Sequence, residues 1–295
     1  MITNFDTNKV YLAKGMTSEM YVDATGHLLG TLHNQKVHWD FLPLTASPLH
    51  IWARDYMPVQ INKNKFVRFN YSPDYLKDNL EYKPDTPTIL STLGLQVINS
   101  DIIIDGGNVI SCGNNVIMTD KIFRENPRYE RNVLIDTLGQ LLEAEIVLIP
   151  EDYYDEYGHA DGMVRYMDEG RVLLNNYCDF DNALRKRLLA ALSPHFDITE
   201  LHYDAYTDRS WAYINFLQVG HHIFIPIMND KLGEMAFRQI ADAFPQCKCH
   251  PVYHCESFVR EGGALNCSTW NILVDLPEEE ENSHEFQRLM NLIYS

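Results

Sequence analysis

Five short polar motifs recur at nearly even intervals along this 295-residue chain, and their spacing constrains the fold more than any other feature. Their central residues are Asp55, Asp105, His159, Asn215 and Cys267, which are separated by steps of 50, 54, 56 and 52 residues. Self-similarity at a fixed period of this length is typical of repeat proteins, in which every unit occupies an equivalent position. The spacing therefore predicts a pseudo-symmetric repeat protein whose units direct polar groups into one central pocket.

The segments between the motifs repeat one order of predicted elements: two strands joined by a turn, then a helix, then a third strand. Gly and Asn or Asp in the turns and apolar residues at helical spacing support this assignment. The predicted strands cover residues 9–12, 37–42, 58–61, 65–70, 96–99, 109–111, 116–119, 145–149, 163–167, 172–175, 198–202, 211–218, 223–228, 249–253 and 268–274. The predicted helices cover residues 17–33, 86–93, 131–143, 182–192 and 231–243.

The fifth unit is predicted to be split between the two ends of the chain. Only one strand follows Cys267 before the acidic run at 278–281, which leads into a predicted amphipathic helix over residues 283–293. The missing strands and helix of that unit are found at the N-terminal end. We therefore predict one domain over residues 1–295, of the α/β class, in which five ββαβ units close a ring around the pocket.

Charge and composition narrow the classes of partner. The 41 acidic residues outnumber the 24 basic ones, giving a net charge of −17, which disfavours nucleic acid and anionic membranes as partners and favours cationic ligands.

No apolar run reaches the roughly 18 residues that a membrane span needs, and the first residues lack the features of a secretory signal. Six cysteines in a chain of this length do not indicate a disulfide scaffold. A cytoplasmic location is expected.

The motif residues together suit nucleophilic attack on a cationic substrate. His159 and Asp161 are two positions apart, so in a strand their side chains would share one face at roughly 7 Å. Taken singly, each residue has a structural alternative: a carboxylate can cap a turn, and a free cysteine is usually a small buried apolar group. Carboxylates that converge in a pocket repel one another unless a cation lies between them, and a guanidinium, planar and permanently charged, meets that need.

A second group of potential ligands lies at Cys247, Cys249, His250, His254 and Cys255. Its spacing is not that of a standard zinc site, and alternate residues of a strand face opposite ways. We interpret this group, like the pair His221-His222, as structural, and no metal is predicted.

The motifs in combination resemble those of the agmatine deiminase and bacterial-type peptidylarginine deiminase family, within the guanidino-group-modifying (pentein) superfamily. The resemblance is carried by these runs: Trp52-x-Arg54-Asp55-x-x-Pro58, Asp105-Gly106-Gly107-Asn108, Gly158-His159-x-Asp161-Gly162, Tyr213-x-Asn215-Phe216 and Gly262-Gly263-x-x-x-Cys267-x-Thr269. It covers about residues 50 to 275, and it implies a five-bladed α/β propeller, in agreement with the repeat count.

The resemblance also implies roles. Cys267 would attack the guanidinium carbon, and His159 would protonate the departing ammonia and then deprotonate the hydrolytic water. Asp55 and Asp161 would bind the guanidinium nitrogens, and Asp105 would orient His159. Trp52 would pack near the planar head of the substrate, Asn215 would line the pocket, and no cofactor would be needed.

Two departures from the family pattern bear on the substrate, namely Asn266 where the family usually has His and Met57 where it often has Gly. We expect a deiminase of a small cationic guanidino compound, with agmatine first, free arginine second (deiminase or dihydrolase) and peptidyl-arginine third. Arginine would need a cationic anchor for its carboxylate, for which Arg165, Arg209 and Arg260 are candidates. An amidinotransferase and a non-catalytic guanidino-binding protein are the rival functions, and self-association into a homo-oligomer is left open.

Overall fold

A computed structural model describes residues 1–204, 207–228 and 230–276 of the chain, and these residues form five sheets of three strands each. In every sheet the central strand pairs antiparallel with one neighbour and parallel with the other. An antiparallel pair needs only a tight turn, whereas a parallel pair needs a crossover, which a helix supplies in each unit. The repeated order of elements predicted from the sequence is confirmed.

The strands are β1 Lys9–Ala13, β2 His38–Leu42, β3 Val59–Asn62, β4 Lys65–Asn70, β5 Ile98–Ile103, β6 Ile110–Cys112, β7 Asn115–Thr119, β8 Glu145–Ile149, β9 Val164–Asp168, β10 Arg171–Leu174, β11 Asp197–Glu200, β12 Leu217–Val219, β13 His222–Pro226, β14 Lys248–Val252 and β15 Thr269–Ile272. The helices are α1 Val22–Asn34, α2 Ala53–Tyr56, α3 Thr86–Thr92, α4 Lys121–Glu125, α5 Arg131–Leu142, α6 Tyr177–Phe180, α7 Asn182–Leu192, α8 Trp211–Ile214, α9 Leu232–Ala243 and α10 Glu256–Arg260.

One sheet joins the two ends of the described chain. Strand β15 pairs antiparallel with β1, and β1 pairs parallel with β2 across helix α1. This is the same pattern as in the other four sheets, with the chain entering it at a different strand. The prediction of a split fifth unit is confirmed at the level of strand pairing.

The crossover helices bury one apolar stripe each. Leu134, Leu138 and Leu142 of α5 are fully buried and pack in one cluster with Val116 and Met118 of β7. Residues four apart lie on one face of a helix, so this leucine series predicts the buried face from the sequence. Burial of each such side chain stabilises the fold by about 1.5–3 kcal/mol.

Each polar motif lies in a short helical turn or loop just before the strand that opens its sheet. Asp55 lies in α2, Asp105 and His159 each precede a 3₁₀ turn, Asn215 follows α8, and Cys267 lies two residues before β15. Backbone hydrogen bonds connect these turns, from Arg54 N to Cys267 O (3.0 Å) and from Asn266 N to Asn215 O (3.0 Å). The five turns thus lie in one region, and this region is the candidate site.

Some local predictions are wrong. Residues 211–218 form α8 and then β12 rather than one strand, because an unbroken buried run such as Ala212–Leu217 has no periodicity that separates helix from strand. The 3₁₀ turn Ala160–Gly162 replaces the strand expected for His159 and Asp161. Helix α1 starts at Val22, after a 3₁₀ turn at Lys14–Thr17, rather than at 17, and β5 extends to Ile103.

The predicted helix over 283–293 and the acidic run at 278–281 lie outside the described residues. Within the part of the chain that is described, no helix combines the length and apolar character needed to cross a bilayer.

Candidate active site

Six of the seven predicted site residues line two adjoining cavities, and Asp105 lies behind them. Asp161, His159, Asn215 and Cys267 line a cavity of about 350 Å³, named here the Asn215 cavity. Trp52, Asp55, His159 and Cys267 line a second one of about 480 Å³, the Trp52 cavity. The two share His159 and Cys267, and the segment that carries Glu156 and Tyr157 contributes to both walls. The structure therefore brings the predicted thiol and imidazole to the junction of two openings.

Gly107 shows how closely the charged groups converge. A methyl group on its α-carbon would lie 2.8 Å from Asp55 Oδ1, 2.8 Å from His159 Nδ1 and 3.2 Å from Asp161 Oδ2. Such distances are too short for a carbon atom, so only glycine leaves space for these three side chains here. The Gly107 N–H also donates to Asp55 Oδ1 (2.9 Å), which fixes that carboxylate.

His159 is oriented by Asp105 on one side and faces the site with its other nitrogen. Its Nε2 lies 2.8 Å from Asp105 Oδ2, and its Nδ1 lies 3.7 Å from Asp55 Oδ1. Burial alone would lower the pKa of His159, but Asp55 and the hydrogen bond to Asp105 outweigh it and raise the pKa to about 9. The imidazole is therefore mostly protonated at neutral pH and can donate from Nδ1.

Asp105 is held in its charged form by a buried lysine. Lys121 Nζ lies 2.6 Å from Asp105 Oδ2, and both side chains are only 1 % exposed. Burial opposes ionisation of Asp105, but Lys121 and His159 together lower its pKa below the ordinary value. Lys121 also contacts Glu125 at 3.3 Å, and burial together with Asp105 raises the pKa of Glu125 to about 7.

Cys267 lies beside the Asp161 carboxylate, and a hydrogen bond to Asn215 holds its backbone N–H. Its Sγ is 3.4 Å from Asp161 Oδ2, and its N–H donates to Asn215 Oδ1 at 3.3 Å. Burial, followed by the charges of Asp161 and Asp55, raises the pKa of the thiol well above its ordinary value. In the free protein at neutral pH the sulfur is therefore a neutral thiol.

Asn266, one of the two departures from the family pattern, bonds directly to a site carboxylate. Its Nδ2 donates to Asp161 Oδ2 at 2.7 Å, the same oxygen that the Cys267 thiol faces. The neutral amide positions Asp161 without adding a charge beside the thiol. Met57, the other departure, is buried and lines a different cavity, so it does not contact the site directly.

Trp52 packs edge-on over Gly263, where a methyl group would lie 2.2 Å from the indole ring. This close approach requires glycine, and it holds the indole in the wall of the Trp52 cavity. Tyr157 and Tyr75 add aromatic rings near His159, with centroids 6.1 Å and 6.2 Å from the imidazole. A flat cationic group between these rings would find both apolar walls and carboxylates.

Burial raises the pKa of the Asp55 carboxyl group before any ligand is bound. Burial, with the like charges of Asp105 and Asp161, raises the pKa of Asp55 to about 7 although His159 opposes the shift. A bound guanidinium would relieve this repulsion, because it supplies the positive charge that the cluster lacks. The arrangement can thus bind a planar cation, deliver a sulfur nucleophile and transfer protons.

Sequence reasoning missed Lys121 and Glu125. Neither belongs to a motif, and the only signal was a lysine directly after a buried strand, which is uninformative without the fold. Of the arginines considered as carboxylate anchors, Arg260 lines the Asn215 cavity, Arg209 is half exposed, and Arg165 lines a separate cavity.

The Cys and His residues at 247–255 do not form a metal-type cluster in the described structure. The group of three ligand-type side chains that does lie within 4.8 Å is Cys178, Asp179 and His202. There His202 Nδ1 is hydrogen-bonded to Asp179 Oδ1 at 2.5 Å, so the imidazole and carboxylate satisfy each other.

Comparison with known proteins agrees with this geometry. Residues 7–272 match the sequence profile of the Porphyromonas-type peptidyl-arginine deiminase family. No curated protein matches the chain in sequence. Among solved structures, the agmatine deiminase of C. jejuni with substrate bound superposes with a TM-score of 0.76 at 14% identity, over 94% of this chain and 96% of that one.

Two further structures show the same fold. The agmatine deiminase of Enterococcus faecalis gives a TM-score of 0.72 at 15% identity, over 94% of this chain and 96% of that one. The amidinotransferase SxtG of Microseira wollei gives 0.63 at 12% identity, over 95% and 99%. Because the profile spans nearly the whole described chain, the protein belongs to the Porphyromonas-type peptidyl-arginine deiminase family and is a hydrolase of guanidino C–N bonds.

Proposed function

We propose that this protein deiminates a small guanidino compound, agmatine before all others, giving the ureido product (N-carbamoylputrescine from agmatine) and ammonia. The observation that carries the proposal is the convergence of the Cys267 thiol, the His159 imidazole and the Asp55 and Asp161 carboxylates at the junction of the Asn215 cavity and the Trp52 cavity. A guanidinium placed there meets two carboxylates, a nucleophile and an acid.

Binding comes first. Asp55 and Asp161 bind the guanidinium nitrogens, since carboxylates form paired, charge-assisted hydrogen bonds with such a group. Trp52 covers the planar head from one wall of its cavity. The fixed positive charge lowers the pKa of the Cys267 thiol, which loses its proton to solvent.

The chemistry then proceeds in two halves. The thiolate attacks the guanidinium carbon, and protonated His159 transfers its Nδ1 proton to the departing nitrogen, so that ammonia leaves and a covalent thiouronium remains. Neutral His159 next takes a proton from water, which attacks the same carbon. Breakage of the C–S bond releases the ureido product, returns the thiolate and frees one further proton to solvent. Asp105 keeps His159 oriented through both halves.

The charge of the cavity walls favours agmatine, whose tail ends in an amine. Five acidic side chains line the Asn215 cavity, and Glu156 and Glu261 line the Trp52 cavity beside Asp55. Arg260 is the only basic side chain of the lysine or arginine type among the described residues that line these two cavities. Arg260 is also the observation that favours free arginine as the second candidate, because it offers a partner for the α-carboxylate.

A substrate panel tests the proposal. Agmatine, arginine, an N-acylated arginine amide and butylguanidine, which lacks the terminal amine, are assayed for ammonia, and each carbon product is identified by mass. We expect the highest kcat/KM with agmatine and no turnover by Cys267→Ala on any substrate. Ornithine with two ammonia per arginine would replace the proposal by a dihydrolase, and amidino transfer to added glycine would replace it by an amidinotransferase.

Glu261→Gln and Glu156→Gln separate recognition of the amine from catalysis. If one of these carboxylates binds the amine, its variant raises the KM for agmatine about tenfold and leaves that for butylguanidine unchanged. Arg260→Met is the matched variant for arginine and should reduce only arginine turnover. Equal losses on agmatine and butylguanidine would contradict a role in binding the amine.

The five units are proposed to form the blades of a closed propeller around this site. Support comes from the pairing of β15 with β1 and from the bonds between successive motif turns described above. The described part of the chain offers a site built wholly from one copy, and whether copies self-associate is left to measurement of the mass in solution.

A further inference from the structure

A third cavity, separate from the two at Cys267, is lined by two arginines. It measures about 70 Å³, and Arg54, Arg165, Ser111, Asn266 and Asn271 are among its lining residues. The N-terminal segment from Met1 to Asn4 forms part of its wall. Among the described lining residues there is no Asp or Glu, although the protein as a whole carries a net charge of −17. The charge of this cavity is therefore opposite to that of the molecule.

Arg165 is buried, forms no direct ion pair, and has one side-chain nitrogen without a hydrogen-bond partner among the described residues. The residue is 1 % exposed, its Nη2 hydrogen-bonds to no other described residue, and no ion pair in the described structure includes it. One face of its guanidinium lies over the ring of Phe216, 4.6 Å from the centroid. The charge of Asp161 acts on this guanidinium, but no acceptor among the described residues bonds to its Nη2, and buried polar atoms in proteins are almost always hydrogen-bonded.

Two further observations point to the same cavity. The Ser111 hydroxyl, which also lines it, is buried and has no hydrogen-bond partner among the described residues. Arg54 uses its side-chain N–H groups on the Asn266 carbonyl and on Asn271 Oδ1, both neutral acceptors, while the charges of Asp161 and Asp55 act on it without a direct ion pair. Burial, opposed by the charge of Asp161 and helped by the neighbouring Arg54, lowers the pKa of Arg165 to about 10, which still leaves both guanidinium groups charged at neutral pH.

We propose that this cavity, named here the Arg165 cavity, binds one small inorganic anion of the size of chloride, held by Arg165 and Arg54 with a hydrogen bond from Ser111. The cavity volume of about 70 Å³ is sufficient for an ion of this size, since a water molecule occupies about 30 Å³ in the liquid. The ion would lie directly behind the site, because Asn266 lines this cavity and also bonds to Asp161.

The test uses the full-length protein and needs no turnover, so its outcome is independent of the proposed deiminase activity. Thermal unfolding is followed in sodium chloride, in sodium bromide and in sodium gluconate, whose anion is too large, at equal ionic strength. Binding to the folded state alone raises Tm with concentration, by about 2–4 °C at ten times the Kd. Chloride and bromide should therefore raise Tm along a saturating curve that gluconate lacks.

Variants and a direct structural readout complete the experiment. Arg165→Met should remove the difference between chloride and gluconate, and Ser111→Ala, which tests the same site should Arg165→Met fail to fold, should shift the curve to higher chloride. Arg238→Met, at an exposed arginine on α9, is the matched control and should keep the wild-type response. Crystals grown in bromide should show its anomalous signal beside the Arg165 guanidinium. Equal Tm in chloride and gluconate, an unchanged response in Arg165→Met, or bromide only elsewhere would overturn the proposal.

Discussion

At the scale of single residues, the candidate site combines a protonated imidazole, His159, with a neutral thiol, Cys267. The carboxylates that raise the pKa of His159 also raise that of Cys267, because negative charge favours an imidazolium and disfavours a thiolate. The free enzyme therefore does not contain the preformed thiolate–imidazolium pair of papain-like proteases. In the proposed mechanism the positive charge of the bound substrate lowers the pKa of the Cys267 thiol and so activates it.

Alkylation of Cys267 measures this dependence on substrate. Iodoacetamide should label Cys267 slowly near neutral pH and faster only at alkaline pH, because burial and the nearby carboxylates hold the thiol pKa well above its ordinary value. A small amidine that leaves the sulfur accessible should shift the rate profile to lower pH. Labelling is quantified by mass on the peptide that contains Cys267, with Cys267→Ala as the blank. Rapid labelling at pH 6 without ligand would exclude substrate-assisted activation.

A second prediction concerns Lys121, which acts on His159 by its own charge and through its ion pair with Asp105. Lys121→Met should raise the pKa of Asp105, so the acidic limb of the kcat profile should move to higher pH, and kcat should fall about 10–100-fold while KM changes little. Lys65→Met is the matched control, since Lys65 also forms an ion pair, with Glu143, but at the surface. A variant with reduced kcat and an unmoved pH profile would assign Lys121 a structural role alone.

At the scale of elements, the proposed site residues are positioned by short turns rather than by long helices or strands. Gly107 lies in the 3₁₀ turn Gly106–Asn108, and the absence of a side chain there leaves room for Asp55 and His159. The helices and sheets bury the leucine stripes and hold the turns in place. We therefore expect catalysis to be sensitive to a single methyl group added at Gly107.

Gly107→Ala should reduce kcat/KM at least about 100-fold, because the added methyl would lie 2.8 Å from Asp55 Oδ1 and from His159 Nδ1 and would displace both. Gly30→Ala in α1 is the matched control, since nothing lies within 4 Å of the added methyl. That variant should keep full activity and gain roughly 0.5–1 kcal/mol of stability from helix propensity. Steady-state kinetics and thermal unfolding of both variants distinguish the outcomes, and an active Gly107→Ala would contradict the convergence described here.

At the scale of the whole molecule, the buried charge cluster couples stability to pH. The pKa of His159 is about 9 in the folded protein and 6.5 in the unfolded chain, so its contribution is fully present below pH 6.5 and is lost as pH rises through 9. The contribution is about 3 kcal/mol as an order of magnitude. The pKa of Asp55 is raised from 3.8 to about 7, so ionisation of this group lowers the stability of the fold mainly at lower pH, as pH rises through that range.

We therefore expect Tm of the wild type to fall more steeply between pH 7 and pH 10 than that of His159→Gln. The variant has no group that titrates at this position, so the difference between the two curves isolates His159 from the lysines and tyrosines that titrate in both. Thermal unfolding at constant ionic strength measures it. Parallel curves for the two proteins would show that His159 is not the group responsible.

The sequence by itself determined the five-fold repeat, the order of elements within each unit and the seven residues proposed for the site. Each of these follows from spacing, from period or from residue type, which are local properties of the chain. The even intervals predicted Asp55, Asp105, His159, Asn215 and Cys267 as equivalents, and the leucine series predicted the buried face of α5.

Only the tertiary structure decided how these residues act together. It placed Lys121 behind Asp105, set Asn266 on Asp161, replaced the expected strand at His159 by a 3₁₀ turn, and assigned Arg165 to a cavity of its own. The physical reason is that pKa values and partners depend on burial and on groups that are distant in the chain, 16 positions for Asp105–Lys121 and 105 positions for Asp161–Asn266. No local pattern in the sequence encodes those distances.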